Sequence, residues 1–169
     1  MLKLPNILDK LLPEPQDIVS DFEISRFEKL IGNKLPADYR YYIKNFRGGF
    51  LDGYIGYPMI ENERSTSGGI DSFFGLNSDD RYSLIRYYTM YCIEQKRMMP
   101  GMIPIGQDGG GNYVCLLLSK KDYGKIYFWD HELEVDFDDP GESEEAFRNL
   151  YWIADSFTEF ANSLSATEE

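Results

Sequence analysis

Met102-Ile-Pro-Ile-Gly-Gln-Asp-Gly-Gly-Gly-Asn-Tyr-Val-Cys-Leu-Leu-Leu118, then Ser119-Lys-Lys-Asp-Tyr-Gly124, then Lys125-Ile-Tyr-Phe-Trp129, is the stretch that decides the fold. It reads as strand, Gly-rich turn, strand, polar turn, strand. Val114–Leu118 and Ile126–Trp129 are continuous apolar runs rich in β-branched and aromatic residues, too short for ordinary helices and bounded by turn residues. Neither run alternates, so both faces of this part of the sheet are expected to be covered. Asp108-Gly109-Gly110-Gly111-Asn112 supplies the positive φ angles that a tight reversal needs.

Outward from this meander the periodicity changes. Upstream, Ser20 and Glu23 form a capping box ahead of a helix over 21–31, with Ile24, Phe27 and Ile31 on one face and Gly32 as its stop. A second helix starts with Pro36 in its first turn and carries Tyr39, Tyr42, Ile43 and Phe46. Residues 50–60 read as a strand, 61–69 as a polar loop and 70–76 as another strand. Ser78 is expected to cap a third helix, with Asp79 and Asp80 in its first turn and an apolar stripe of Tyr82, Ile85, Tyr88 and Cys92. Downstream, Leu133, Val135 and Phe137 alternate with acids, the pattern of a half-buried edge strand. Leu150–Ala154 reads as a short strand. Asp155-Ser156 open a last helix carrying Phe157, Phe160 and Leu164. Ile7, Leu8, Leu11 and Leu12, closed by Pro13 and Pro15, suggest one or two helical turns near the start.

The 169 residues are most simply one domain, with 1–19 as an extension and 20–165 as the core. A chain this long can bury roughly 68–70% of its unfolded surface and needs no staples. Its 43% hydrophobic and 15% aromatic content supplies a core. The formal net charge of −12 argues against nucleic acid and anionic membranes as partners and fits a basic partner. Cys92 and Cys115 read as small buried hydrophobes. Neither a signal peptide nor a transmembrane run is apparent, so a cytoplasmic location is expected.

The chemistry-bearing motifs fall short of a catalytic site. The glycines of 106–111 are followed by Asn112-Tyr113 and a strand. A phosphate loop would end in Gly-Lys-Ser/Thr, and a dinucleotide site would need a helix N-terminus. His131 is the only histidine. A Cys115–His131 pair would need an exposed thiol of lowered pKa, whereas Cys115 lies in an apolar run. The acids after Trp129 look solvated, unlike a general acid held in an apolar cleft, and lack calcium-loop spacing. No cofactor or metal is implied.

Several motifs together resemble the SUKH superfamily. They are Glu28 with Leu35-Pro36-Ala37-Asp38-Tyr39 and Phe46-Arg47-Gly48-Gly49; Ile103-Pro-Ile-Gly106 with the Gly-rich turn; Ile126-Tyr-Phe-Trp-Asp-His131; and Ile153-Ala-Asp-Ser-Phe-Thr-Glu-Phe160. That superfamily includes a yeast regulator of cell-wall glucan synthesis and many bacterial immunity proteins. The resemblance implies an α+β fold with helices on a mixed, mostly antiparallel sheet. It also implies binding without catalysis: an immunity protein neutralising a cognate toxin, often a nuclease, or else an intracellular regulator or scaffold of cell-wall synthesis. A nuclease's basic groove would suit an acidic surface. The candidate partner-binding residues are Asp108 at the turn tip and the acids Glu132, Glu134, Asp136, Asp138 and Asp139. Tyr41 and Tyr87 join them, because each lies off its helix's main stripe and tyrosine suits interfaces.

Overall fold

The computed structural model describes residues 19–46, 48–76, 80–134 and 149–166. Among them the first helix, α1, spans Asp21–Ile31. Its capping box is complete: Glu23 N–H donates to Ser20 Oγ, the Glu23 carboxylate accepts from Ser20 N–H, and Gly32 closes the helix at φ 70°. The buried Glu28 then fixes the link to α2 (Ala37–Asn45), accepting from Leu35 N–H at 3.1 Å and Lys34 Nζ at 2.7 Å. Pro36 is the N-cap of α2 rather than its first helical residue.

Strand β1 (Gly49–Glu61) runs into β2 (Arg64–Phe73). The expected polar loop over 61–69 is therefore a hairpin. Asn62 and Glu63 both take left-handed φ values, 48° and 65°, which make a two-residue reversal matched to strand twist. Arg64 to Ser67 look like loop residues because they lie on an exposed strand. Gly68 and Gly69 look like breakers, but each lies beneath an aromatic ring, Tyr57 over Gly68 and Tyr54 over Gly69.

The third helix also differs from its expected phase. Ser83, not Ser78, caps α3 (Leu84–Tyr88), and the chain continues as a π-helix over Thr89–Glu94. Ser78 and Asp79 lie outside the described residues. The later start and the wider π-helical turn rotate the stripe: Leu84, Tyr87, Tyr88, Tyr91 and Cys92 face the core, while Ile85 is exposed.

The meander is present as read: β3 (Met102–Gln107), β4 (Tyr113–Leu117) and β5 (Ile126–Trp129). The expected edge strand begins instead as a 3-10 turn over His131–Leu133, capped by Asp130, whose carboxylate accepts from Glu132 N–H. Val135 and Phe137 lie outside the described residues, as does the apolar piece over 7–12. Then come β6 (Leu150–Ala154), α4 (Phe157–Ser163) and β7 (Ser165–Ala166).

Every strand ladder is antiparallel, in the order β2-β3-β4-β5-β6-β1-β7, with β1 also bonded to β2. Ile60 lies between Ser65 of β2 and Trp152 of β6, so the ladder returns on itself. The fold is α+β with a mostly antiparallel sheet. Two aromatic clusters hold the helices to it. Tyr39 and Tyr42 of α2 meet Phe157 of α4 at 5.1 and 4.6 Å between ring centres, and Asp38 accepts from Thr158 N–H across the same joint. Beneath α3, Tyr87 stacks on Phe74 at 3.9 Å and Tyr91 meets Tyr113 at 4.9 Å. Each such pair contributes about 0.5–1.5 kcal/mol beyond its buried area.

Candidate interaction surface

Asp108 shapes the Gly-rich turn rather than standing free at its tip. Its Oδ1 accepts from Gly110 N–H and Asn112 N–H, both at 2.9 Å, and its Oδ2 accepts from Asn112 Nδ2 at 2.9 Å. Because Nδ2 must donate to the carboxylate, Asn112 Oδ1 is turned towards His131. There it accepts from the His131 backbone N–H at 3.1 Å and meets Nδ1 at 2.8 Å. An amide oxygen only accepts, so His131 Nδ1 carries the hydrogen. The lone histidine thus ties the end of β5 to the β3–β4 turn. Glu132 is exposed beside it.

Asp71 of β2 joins this end of the sheet. One carboxylate oxygen accepts from Ser72 Oγ at 2.8 Å and the other lies against Gly109. Asp71, Asp108, Asp130 and Glu132 therefore crown the same end. Among the described residues none of the four forms an ion pair with Lys or Arg. Between the turn and the β1–β2 hairpin lies a cleft of about 310 Å³, lined by Tyr54, Ile70, Asp71, Asp108, Gly109 and Gly110. Sequence reasoning did not single out Tyr54, Ile70 and Asp71, because only the pairing of β2 with β1 and β3 brings them beside the Gly-rich turn, and no local pattern announces it.

Two predicted positions need correction. Glu134 is not on the outer face of a strand. It receives Arg97 Nε at 2.6 Å and Nη2 at 2.5 Å, and the Arg97 guanidinium lies over Tyr91 and Trp129 at 4.8 and 5.3 Å. Its charge is matched within the chain. Tyr87 is not an outward tyrosine. It is half-buried between Phe74 and Tyr91, and burial raises its phenol pKa. Tyr41 is half-buried on α2, where its carbonyl accepts from Asn45 Nδ2. It makes no hydrogen bond or ring contact with the other predicted positions among the described residues. Asp136, Asp138 and Asp139 lie outside the described residues.

A second surface differs in character. Phe22, Leu30 and Ile85 are 71%, 44% and 46% exposed and edge a groove of about 800 Å³ that also carries Arg26 and Lys29. It is largely apolar, with Glu23 beside the two cations, where the sheet end is acidic.

The thiols are unreactive in character. Burial raises the Cys115 thiol well above its usual value and pushes that of Cys92 up to about 12, so neither supplies thiolate near neutral pH. No helix among the described residues is long and apolar enough to cross a membrane.

Comparison with known proteins agrees with this architecture. The profile of the SMI1 / KNR4 family (SUKH-1) matches residues 18–163. The SPbeta prophage-derived uncharacterized protein YokK of Bacillus subtilis (strain 168) is 31% identical over 156 residues, covering 84% of this chain and 72% of that protein.

Proposed function

Since the chain belongs to the SMI1/KNR4 family (SUKH-1), we propose that it is a cytoplasmic, non-catalytic immunity protein that binds and neutralises a basic toxin domain through the acidic end of its sheet. The observation that carries this reading is the set Asp71, Asp108, Asp130 and Glu132, grouped with no Lys or Arg paired to them among the described residues. A domain that handles nucleic acid carries a basic groove, and this surface complements it in charge. Such complementarity raises association rates towards about 10⁷–10⁹ M⁻¹s⁻¹ at low salt. The prophage origin of YokK supports a role within a mobile element over one in cell-wall synthesis.

The test is co-purification from the native host at low and moderate salt, followed by expression of the captured partner alone and together with this chain. The expected result is one stoichiometric basic protein that arrests growth alone and is harmless in the pair. A partner from cell-envelope synthesis, with an envelope defect on deletion, would replace this reading with that of a regulator.

A further inference from the structure

Among the described residues, the hairpin that replaces the expected loop leaves one strand edge unpaired. In a two-residue hairpin the closing pair, here Glu61 and Arg64, exchanges both hydrogen bonds, and the bonded pairs then alternate. Ser65, Ser67 and Gly69 therefore direct their N–H and C=O away from β1. Pro58 fits this phase: it lies opposite Ser67, where neither residue bonds across, so its missing N–H costs the ladder nothing. On the outer side β3 pairs with β2 only at Ser72 and Phe73 and then departs into the Gly-rich turn. Among the described residues nothing takes its place along 65–69, an edge about 17 Å long. Exposed edges usually carry lysine, proline or a bulge against chance pairing. The run Ser65-Thr66-Ser67-Gly68-Gly69 carries none of these.

The acidic cleft opens where β3 leaves β2. Tyr54, 60% exposed, and Ile70 form apolar walls, with the Asp71 and Asp108 carboxylates beside them. Its volume of about 310 Å³ is at the bottom of the range of about 300–1,000 Å³ typical of small-molecule pockets, so one long side chain suits it better than a large ligand. An arginine answers both kinds of wall: its stem and flat guanidinium can lie on the tyrosine ring while its N–H groups reach carboxylate.

We propose that the outer edge of β2, Ser65 to Gly69, accepts an extended segment of the basic partner as an added strand, with an arginine of that segment seated in the Tyr54–Ile70–Asp71–Asp108 cleft. The inference rests on the reading given under Proposed function and names the contact that reading leaves open. Main-chain bonds along the edge would supply affinity for any extended chain, and the cleft would select the arginine.

The test uses the ¹⁵N-labelled full chain and ten-residue alternating Thr/Val peptides, each with one arginine at a different position. Amide shifts are expected at Ser65, Ser67, Gly69, Gly109 and Gly110 for at least one arginine register. Replacing that arginine by citrulline, or Asp71→Asn in the protein, should weaken binding at least tenfold. Ser67→Pro removes an outward N–H while leaving the hairpin's own bonds, and should abolish the shifts in a chain of unchanged circular dichroism. Shifts confined to the Phe22–Leu30–Ile85 groove, no shifts at millimolar peptide, or a dimer in sedimentation that Ser67→Pro dissolves would each overturn the inference. A toxin neutralised equally well by the Ser67→Pro and Asp71→Asn chains would overturn it while leaving the immunity reading intact. Peptide binding at this edge by a chain that protects against no toxin would do the reverse.

Discussion

Arg97 holds Glu134 through two hydrogen bonds, Nε and Nη2 each meeting one carboxylate oxygen, while its guanidinium covers Tyr91 and Trp129. The pair is two-thirds or more shielded, with 32% and 18% of the side chains exposed. Removing one partner leaves the other charge half-buried and unmatched, whereas removing both leaves only lost packing. Glu134→Gln should lower stability by about 1–2 kcal/mol in urea unfolding at neutral pH. The Arg97→Gln/Glu134→Gln double variant should lose less than the sum of the singles. Additive losses would mean that the two side chains act independently.

Tyr42 makes the opposite case. It is fully buried among Tyr39, Phe46, Phe73 and Phe157, and its hydroxyl has no partner among the described residues. Burial pushes its phenol far above the ordinary range, so the group stays neutral but poorly solvated. Tyr42→Phe should raise stability by about 0.5–1 kcal/mol, because it removes an unsatisfied polar atom and keeps the ring. Tyr113→Phe should lower it by a similar amount, since Tyr113 donates or accepts across a 2.8 Å contact with the Tyr91 hydroxyl. Urea midpoints of the two variants should therefore move in opposite directions.

These cases mark what was legible in the sequence. The meander, the capping box at Ser20 and Glu23, the stop at Gly32 and the last helix rest on local rules, and they were readable. The hairpin was not. A glutamate in left-handed geometry, a polar run of which Arg64, Ser65 and Ser67 are exposed, and a glycine pair are strand-compatible only because Tyr54 and Tyr57 cover the glycines from across the ladder. The phase of α3 was missed because a π-helix changes the spacing on which the stripe was counted. The acids were found by type but not by pairing. Nothing local to Glu134 reveals an arginine 37 residues upstream, and nothing local to Asp71 reveals the glycine turn beside it.

Glu28 links the fold to pH. Burial alone would raise its carboxyl pKa, but the Lys34 ammonium, the Leu35 N–H and the Arg40 charge outweigh burial and hold it below its ordinary 4.5. A depressed carboxyl stabilises the fold fully above its unfolded-state value, and that contribution is lost as pH falls through the lower folded value. Wild-type stability should therefore drop as pH falls below about 4.5, the ordinary value for glutamate. Glu28→Gln should cost about 1–2 kcal/mol at pH 7 and show a shallower acid limb. The gap between the two proteins should narrow as pH falls. A gap that stays constant from pH 7 to pH 3 would mean that the carboxyl is bonded equally well in either protonation state.

The acidic end and the Arg97–Glu134 pair make separable predictions about binding. Unmatched surface acids act at a distance, so they speed association at low ionic strength and are screened at high salt. An acid already paired within the chain presents little net field to a partner. With the basic partner in hand, Asp71→Asn/Glu132→Gln should slow association about tenfold at roughly 50 mM salt and hardly at all at roughly 500 mM. Glu134→Gln should leave the salt dependence of association unchanged, or flatten it slightly, because the released Arg97 charge repels a basic partner. Stopped-flow association across that salt range distinguishes these outcomes. Equal slopes for the wild type and the Asp71→Asn/Glu132→Gln variant would remove the sheet end from recognition and turn attention to the apolar groove of Phe22, Leu30 and Ile85.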